Sequence, residues 1–338
     1  MPPSYYTSQG SYSARTKSKP WGKLIFFLFI VGLFAFGGYQ LYLNKDRILF
    51  YFQKDKYKQL KAKLQTAYSV INSENTIDNE ETVKSTIELL ENLSADHPTD
   101  PQVFAFKGHL YYKIFARKVK PRLLLDLFFT DYLDRYKFAA ELDHMNWRNA
   151  MIAYRKSLAL EVEEADRKQI IENLARLYLW GGRAYFESGY VHLRKRKDNS
   201  TIASLYNVIL TQREPAWGLL EKEFSKELTD FLKALYFLKT GNEPGGFSIL
   251  KDLAVAEFEQ DGPLTKALQN NAKYLLGNIM GRQKKWKSQL KNYSTIEFAS
   301  FLEKNPWFLK EYNYLLRYLG KKKEATAFLS KYEKRVIN

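Results

Sequence analysis

The side chains that most often carry chemistry are few in this chain and far apart. Its four histidines are His97, His109, His144 and His192, and none is paired four residues from another or lies in an HExxH motif. A zinc hydrolase of that type holds its metal with two histidines on adjacent turns of one helix. We therefore expect packed or solvated imidazoles here, with His109 inside a helix and His97 at a turn.

Motifs for phosphate binding and for nucleophilic catalysis are also missing from the sequence. There is no GxxxxGK[ST], no GxGxxG and no cysteine, and the glycine-rich run at 241–246 follows a predicted helix where a phosphate loop would follow a strand. Glu163 and Glu164 lie among helical charges, without the apolar surroundings that tune a catalytic carboxylate. The sequence predicts no catalytic residue, no metal and no cofactor, so we expect a protein that is not an enzyme.

One segment has the composition of a partner-binding site. Residues 122–133, RLLLDLFFTDYL, are strongly apolar and belong to a stretch at about 116–145 that interrupts the surrounding helical pattern. The segment either folds back as an extra core helix or offers an apolar patch to a protein or a membrane. The second alternative predicts that this insertion carries binding and not stability. Its candidate partner-binding residues are Leu124, Leu125, Phe128 and Phe129.

The elements that must position these residues are helices. Prolines fall between segments, as at Pro98, Pro215 and Pro306, and no sustained alternation of apolar and polar residues is present. Residues 81–93, ETVKSTIELLENL, place apolar side chains at helical spacing. The fold class predicted is all-α.

A membrane anchor is predicted near the N-terminus. Residues 24–43, LIFFLFIVGLFAFGGYQLYL, carry no charge, and a helix of this length matches the roughly 30 Å hydrocarbon core of a bilayer. The alternative is a cleaved signal peptide, because residues 24–36 have the length of its apolar region. We favour an anchor, since 23 residues precede the segment and aromatic residues continue past its end.

The anchor divides the chain into four predicted parts. These are a disordered basic tail at 1–23, a transmembrane helix at 24–43, a membrane-proximal helix and linker at 44–80, and a helical domain at 81–338. Lysine and arginine flank the anchor on both sides, so charge alone does not fix the orientation. We favour a single-pass protein of the cytoplasmic membrane with its C-terminal domain in the periplasm, and the lack of cysteine suits an oxidising compartment.

The net charge of +16 is spread along the helices and is not accompanied by a nucleic-acid recognition motif. An anionic membrane surface beside the anchor is a simpler counter-charge. We therefore expect membrane and protein partners, and no nucleic acid.

A weak repeat follows from the spacing of small and aromatic residues. Phe104, Gly108 and Tyr111 share their spacing with Tyr178, Gly182 and Tyr185, and Gly277 marks a weaker third copy. Where two helices cross closely, one position must be small and a large neighbour fills the groove beside it. The residues predicted to pack the repeats are Gly108, Tyr111, Ala150, Tyr154, Gly182, Tyr185, Gly277, Gly320 and Ala325. Among the glycines, Gly189 and Gly320 suit the turns between helices.

These residues resemble the tetratricopeptide repeat (TPR), a helix-turn-helix unit of about 34 residues. The resemblance implies a TPR-like α-solenoid with repeats at 103–158, 175–212, 228–255, 270–296 and 307–334, after a leading helix at 54–72 and a half-repeat at 82–95. It also implies a binding function, because stacked helix hairpins present extended surfaces to other proteins.

Two functions are compatible with this layout. The first is a non-enzymatic membrane-anchored scaffold that supports assembly of an envelope complex, with homo-oligomerisation open. Its layout is similar to that of the repeat proteins in the spirochaete periplasmic flagellar collar, which implies a place in a flagellar motor. The alternative is a cytosol-facing receptor for protein targeting or translocation.

Overall fold

The computed structural model describes residues 45–73, 79–195, 200–256 and 262–336. The predicted tail and the apolar segment 24–43 lie outside these ranges. Within the ranges described, no helix is both long and apolar enough to cross a membrane. The chain divides into two units, Met1–Gln65 and Thr66–Asn338, and all the packing discussed below lies in the second.

The described residues form sixteen helices and no strand, so the prediction of an all-α fold is confirmed for them. In chain order the first eight are α1 (Lys45–Asn72), α2 (Glu80–Asp96), α3 (Pro101–Ala116), α4 (Pro121–Tyr132), α5 (His144–Ala159), α6 (Glu164–Trp180), α7 (Arg183–Lys195) and α8 (Thr201–Leu210). The next eight are α9 (Trp217–Glu223), α10 (Lys226–Lys239), α11 (Glu243–Val255), α12 (Pro263–Arg282), α13 (Trp286–Tyr293), α14 (Phe298–Lys304), α15 (Phe308–Tyr318) and α16 (Lys322–Val336).

Local sequence explains where many of these helices begin. Asp100 accepts hydrogen bonds from the backbone N–H groups of Gln102 and Val103, and Pro101 occupies the first turn of α3. Asn79, Asp143, Ser200, Ser225 and Asn242 cap their helices in the same way. A side-chain oxygen there satisfies N–H groups that have no partner inside the helix, and proline lacks the N–H that the first turn would leave unpaired.

Antiparallel helix pairs are joined by short turns with one left-handed residue. That residue is Gly182 between α6 and α7, Gly241 between α10 and α11, Lys284 between α12 and α13, and Gly320 between α15 and α16, with φ values of 79°, 85°, 59° and 80°. Positive φ carries little steric cost for glycine. The turn at Gly320 is as predicted, whereas Gly182 was predicted at a helix crossing and lies in a turn.

The helix pairs lie close to four of the predicted repeat ranges. The ranges 103–158, 228–255, 270–296 and 307–334 correspond to α3 with α5, α10 with α11, α12 with α13, and α15 with α16. The range 175–212 is wrong, because it begins inside α6 and ends after α8. There the chain forms two pairs, α6 with α7 and α8 with α9.

Successive first helices of the pairs touch one another. The helices α3, α6, α8, α10 and α12, here called the inner layer, each contact the next in this order. The inserted helix α4 joins three of them, because it contacts α8, α10 and α12. The insertion therefore lies against the inner layer of the pairs that follow it in the chain.

Candidate functional site: the inner layer and its cleft

Glycine–tyrosine contacts fix the closest approaches between helices. A Cβ atom built at Gly108 would lie 2.6 Å from Tyr154 Cε1, and one at Gly277 would lie 2.6 Å from Tyr293 Cδ1. Both tyrosines are fully buried. A third contact joins Gly189 to Tyr206, with Cβ to Cζ at 2.6 Å. In each case an aromatic ring occupies the space that a side chain on the glycine would need.

The other predicted packing residues occupy different positions. Ala150 and Ala325 are fully buried, and Tyr111 is buried with its hydroxyl donating to Glu91 Oε1 at 2.8 Å. Tyr185 is only half-buried and stacks on Tyr178. The prediction that placed Gly182 at a crossing and Gly189 in a turn is therefore reversed. Glycine serves both purposes, since it permits close approach and also positive φ, so residue type did not separate them.

The candidate partner-binding residues of the insertion are core residues, not an exposed patch. Leu124, Leu125, Phe128 and Phe129 are between 0% and 5% exposed. Phe129 packs edge-on against Tyr274 of α12, with ring centroids 5.7 Å apart. The interpretation of 116–145 as a binding surface without a role in stability is wrong, because α4 buries these side chains against the inner layer. The alternative, in which the segment folds back, is the one observed.

A buried carboxylate fixes α4 in place. Asp131 at its end is 1% exposed, and its two oxygens accept from Arg183 Nε at 3.3 Å and Lys239 Nζ at 2.9 Å. Arg183 also donates to the backbone carbonyl of Asp131 at 3.0 Å. Desolvating a carboxylate is costly unless it is paired and hydrogen-bonded. These bonds connect α4 to the start of α7 and the end of α10.

A cleft lies beside α3 and α6, at the N-terminal end of the inner layer. The inner helices that α4 contacts are the later ones, α8, α10 and α12. This cleft, between α3, α6 and the last turns of α1, has a volume of about 240 Å³. Its apolar walls are the rings of Tyr68, Phe106 and Tyr112, with Tyr68 and Phe106 in edge-on contact at 5.8 Å. Its polar groups are those of Asn72, His109, Lys113, Asp166, Gln169 and Asn173.

A hydrogen-bonded chain lies at the base of the cleft. Asn173 Nδ2 donates to the Tyr154 hydroxyl oxygen at 2.9 Å, and that hydroxyl lies 2.8 Å from His109 Nδ1. The tyrosine hydroxyl and the Asn173 amide, whose Nδ2 lies 3.4 Å from Nδ1, can both donate to an unprotonated Nδ1. The neutral tautomer with its hydrogen on Nε2 is the one that lets Nδ1 accept from both groups.

Burial and charge keep His109 neutral. Desolvation, with a smaller contribution from the nearby Lys113 ammonium, lowers the pKa of His109 from 6.5 to about 4. Lys113 is itself held by a hydrogen bond from its Nζ to the carbonyl of Ile71 in the last turn of α1. The cleft therefore presents the Lys113 ammonium, the Asp166 carboxylate, neutral amides and aromatic walls, an arrangement that suits a peptide segment with an apolar side chain.

Sequence reasoning treated His109 as packed or solvated and did not single out Asn173 or Gln169. A usable signal exists in hindsight. His109 directly follows the crossing glycine Gly108, and in α6 the residue at the corresponding site is Ala175, seven residues before the turn glycine Gly182. The same interval of seven separates Ala234 from Gly241 and Gly277 from Lys284. This interval locates one small residue in each of the inner-layer helices α6, α10 and α12.

Among the described residues, no group of three or more His, Cys, Asp or Glu side chains is placed to hold a metal ion. His144 packs against Phe138, with ring centroids 3.8 Å apart, and His97 follows the end of α2. Compared with known proteins, the chain matches no protein-family model, no curated protein and no solved structure.

Proposed function

We propose that this chain is a non-enzymatic, membrane-anchored scaffold of TPR-like helix hairpins that binds other proteins and supports assembly of an envelope complex. The stacked pairs support the repeat interpretation, because a glycine on one helix meets a tyrosine on a neighbouring helix at Gly108, Gly189 and Gly277. Arrays of helix pairs bind proteins along the surface that successive helices share.

The cleft on α3 and α6 is the observation that carries the binding proposal. Further along the inner layer, α4 packs against α8, α10 and α12. At the cleft the inner helices leave about 240 Å³ between aromatic walls and a polar rim. That volume is below the usual range for small-molecule sites, which begins at about 300 Å³. It is better suited to a side chain of a bound peptide, with Gln169 and Asn173 bonding its backbone.

The anchor and the envelope location are the parts of the proposal that rest on sequence. The uncharged segment 24–43 supports a membrane span, and the domain beyond it supports a protein that acts at a membrane surface. The flagellar motor is proposed only from the similarity of layout to spirochaete collar proteins.

Site-specific crosslinking tests the binding proposal, and the chain is well suited to it because it contains no cysteine. Gln169→Cys, on the exposed rim of the cleft, would carry a photoactivatable thiol-linked probe in cells. Ile152→Cys on α5 is the matched control, since Ile152 is 55% exposed and does not line the cleft. We expect a discrete crosslinked partner from position 169 and none from 152. Equal labelling from both positions, or none from 169, would refute binding at the cleft.

The alternative function is the cytosol-facing receptor, which the lysine-rich segment 45–63 after the anchor favours. Thiol accessibility separates the two, with Ser330→Cys on the exposed face of α16 as the reporter. A membrane-impermeant maleimide should label it from the periplasmic side if the domain lies outside. Ser11→Cys in the tail should show the opposite pattern. Labelling of Ser330→Cys only after the inner membrane is opened would favour the receptor.

A further inference from the structure

Three aromatic side chains form an exposed patch on the C-terminal helix pairs. Tyr314 and Tyr318 on α15 are 70% and 59% exposed, and Trp286 at the start of α13 is half-buried beside them. The two tyrosine rings are stacked, with centroids 6.4 Å apart and planes at 19°. Trp286 stands edge-on to Tyr318 at 5.6 Å and 69°. These three residues are called the aromatic patch.

The two tyrosines of the aromatic patch lie outside the hydrophobic core, whereas Trp286 packs partly against it. The opposite side of α15 already supplies the core, and its buried apolar residues are Phe308, Leu309, Tyr312, Leu315 and Leu316. Large aromatic side chains left exposed together and in contact are typical of protein-binding surfaces, where tyrosine and tryptophan are enriched.

The surroundings of the aromatic patch are basic. Lys285 and Lys287 flank Trp286, and Lys310 and Arg317 lie one turn from Tyr314 on α15. In the part of the chain that the structure describes, Lys287 and Lys310 make no ion pair.

Acidic side chains on α11, α15 and α16 bond to groups other than Lys287 and Lys310. Glu311 accepts from the hydroxyls of Tyr274 and Tyr293, at 3.0 Å and 2.7 Å. Glu324 pairs with Lys321, and Glu243 pairs with Arg282. An anionic partner would therefore find cations around the aromatic patch without displacing an internal acid.

We propose that the aromatic patch docks an acidic segment of a partner protein that carries an apolar or aromatic side chain. A protein segment is favoured over a bilayer, because tyrosine and tryptophan rings held in contact with one another match the composition of protein interfaces. The charge complementarity sets the sign of the partner and the rate of encounter. This inference rests on the proposed scaffold function and adds a second docking surface to it.

Binding is measured by fluorescence anisotropy with the full-length chain in nanodiscs of phosphatidylcholine. The probe is a fluorescein-labelled peptide that repeats Glu-Phe-Glu-Ser, and its counterpart repeats Lys-Phe-Lys-Ser. We expect only the acidic peptide to bind, and Tyr314→Ala with Tyr318→Ala to weaken it by about tenfold or more, as loss of aromatic hot spots does. Lys287→Glu with Lys310→Glu should also weaken binding and reduce its dependence on salt.

The matched control is Met145→Ala with Ile152→Ala, which removes two side chains that are 67% and 55% exposed on α5. It should bind like the unmodified chain, and all three variants should keep its melting temperature. Equal affinity for both peptides, or equal affinity in the patch variant, would overturn the proposal.

Two further outcomes would overturn the proposal, because each would identify a different binding partner for the aromatic patch. Loss of peptide binding when phosphatidylglycerol is added to the nanodiscs would identify an anionic membrane. A dimer that dissociates in the patch variant would identify a second copy of the chain. Crosslinking from Gln169→Cys reports on the scaffold function separately, so a failed peptide test with a positive crosslink removes only the aromatic patch.

Discussion

Gly277→Ala is expected to destabilise the helical domain although alanine is the better helix former. The added Cβ would lie 2.6 Å from Tyr293 Cδ1, far inside the contact distance of about 3.5–4.0 Å for two carbon atoms. The ring has little freedom to retreat. It is fully buried, stacks on Tyr274 with centroids 5.3 Å apart, and donates through its hydroxyl to Glu311.

The magnitude follows from two opposing terms. Overpacking a well-filled site costs about 1–3 kcal/mol, and the upper part of that range applies because ring, stack and hydrogen bond must move together. Replacing glycine by alanine inside a helix returns about 1 kcal/mol. The net loss is therefore about 2 kcal/mol, which lowers the melting temperature of the unit Thr66–Asn338 by about 3–4 °C.

Thermal and urea unfolding followed by circular dichroism measure this loss. Gly218→Ala is the control, because a Cβ there meets nothing within 4 Å, and it should be neutral or slightly stabilising. In a double-mutant cycle, Tyr293→Leu should remove much of the cost of Gly277→Ala, since the ring that clashes is gone. Additive effects, or an unchanged melting temperature for Gly277→Ala, would refute the glycine–tyrosine crossing and the repeat register built on it.

The remaining predictions concern the insertion, its ion pair and the cleft histidine. Leu124→Ser with Phe128→Ser should cost at least about 5 kcal/mol and abolish cooperative melting, whereas retained melting would mean that α4 is not core. Lys239→Met should lower the free energy of unfolding by about 3 kcal/mol in urea titrations. Arg282→Met, which removes the exposed Arg282–Glu243 pair, should lower it by less than about 1 kcal/mol. Equal effects of the two substitutions would argue against a buried ion pair at Asp131. Because the pKa of His109 falls from 6.5 to about 4 on folding, stability should decline as pH drops below 6.5 and the unfolded chain takes up the proton. The whole interval corresponds to roughly 3 kcal/mol. His109→Gln should lose this component of the pH profile, and identical profiles would show that the imidazole is not buried neutral.

The sequence was sufficient for the helices and for part of their packing. The start of a helix depends on interactions between residues two or three apart, because a capping side chain bonds to backbone N–H groups in the first turn. Asp100, before Pro101, is an example. Gly108 and Tyr154 were both predicted to pack the same repeat, because close helix crossings need small and large residues, and the structure shows that they meet each other.

Only the tertiary structure shows that the insertion is buried and which residues form the cleft. A run such as LLLDLFF reads the same whether it is buried or exposed, and its burial depends on α8, α10 and α12, which follow much later in the chain. Asp131 meets Lys239 across 108 residues, and His109 meets Asn173 across 64. No spacing rule connects residues so distant, because their contact depends on how the helix pairs stack.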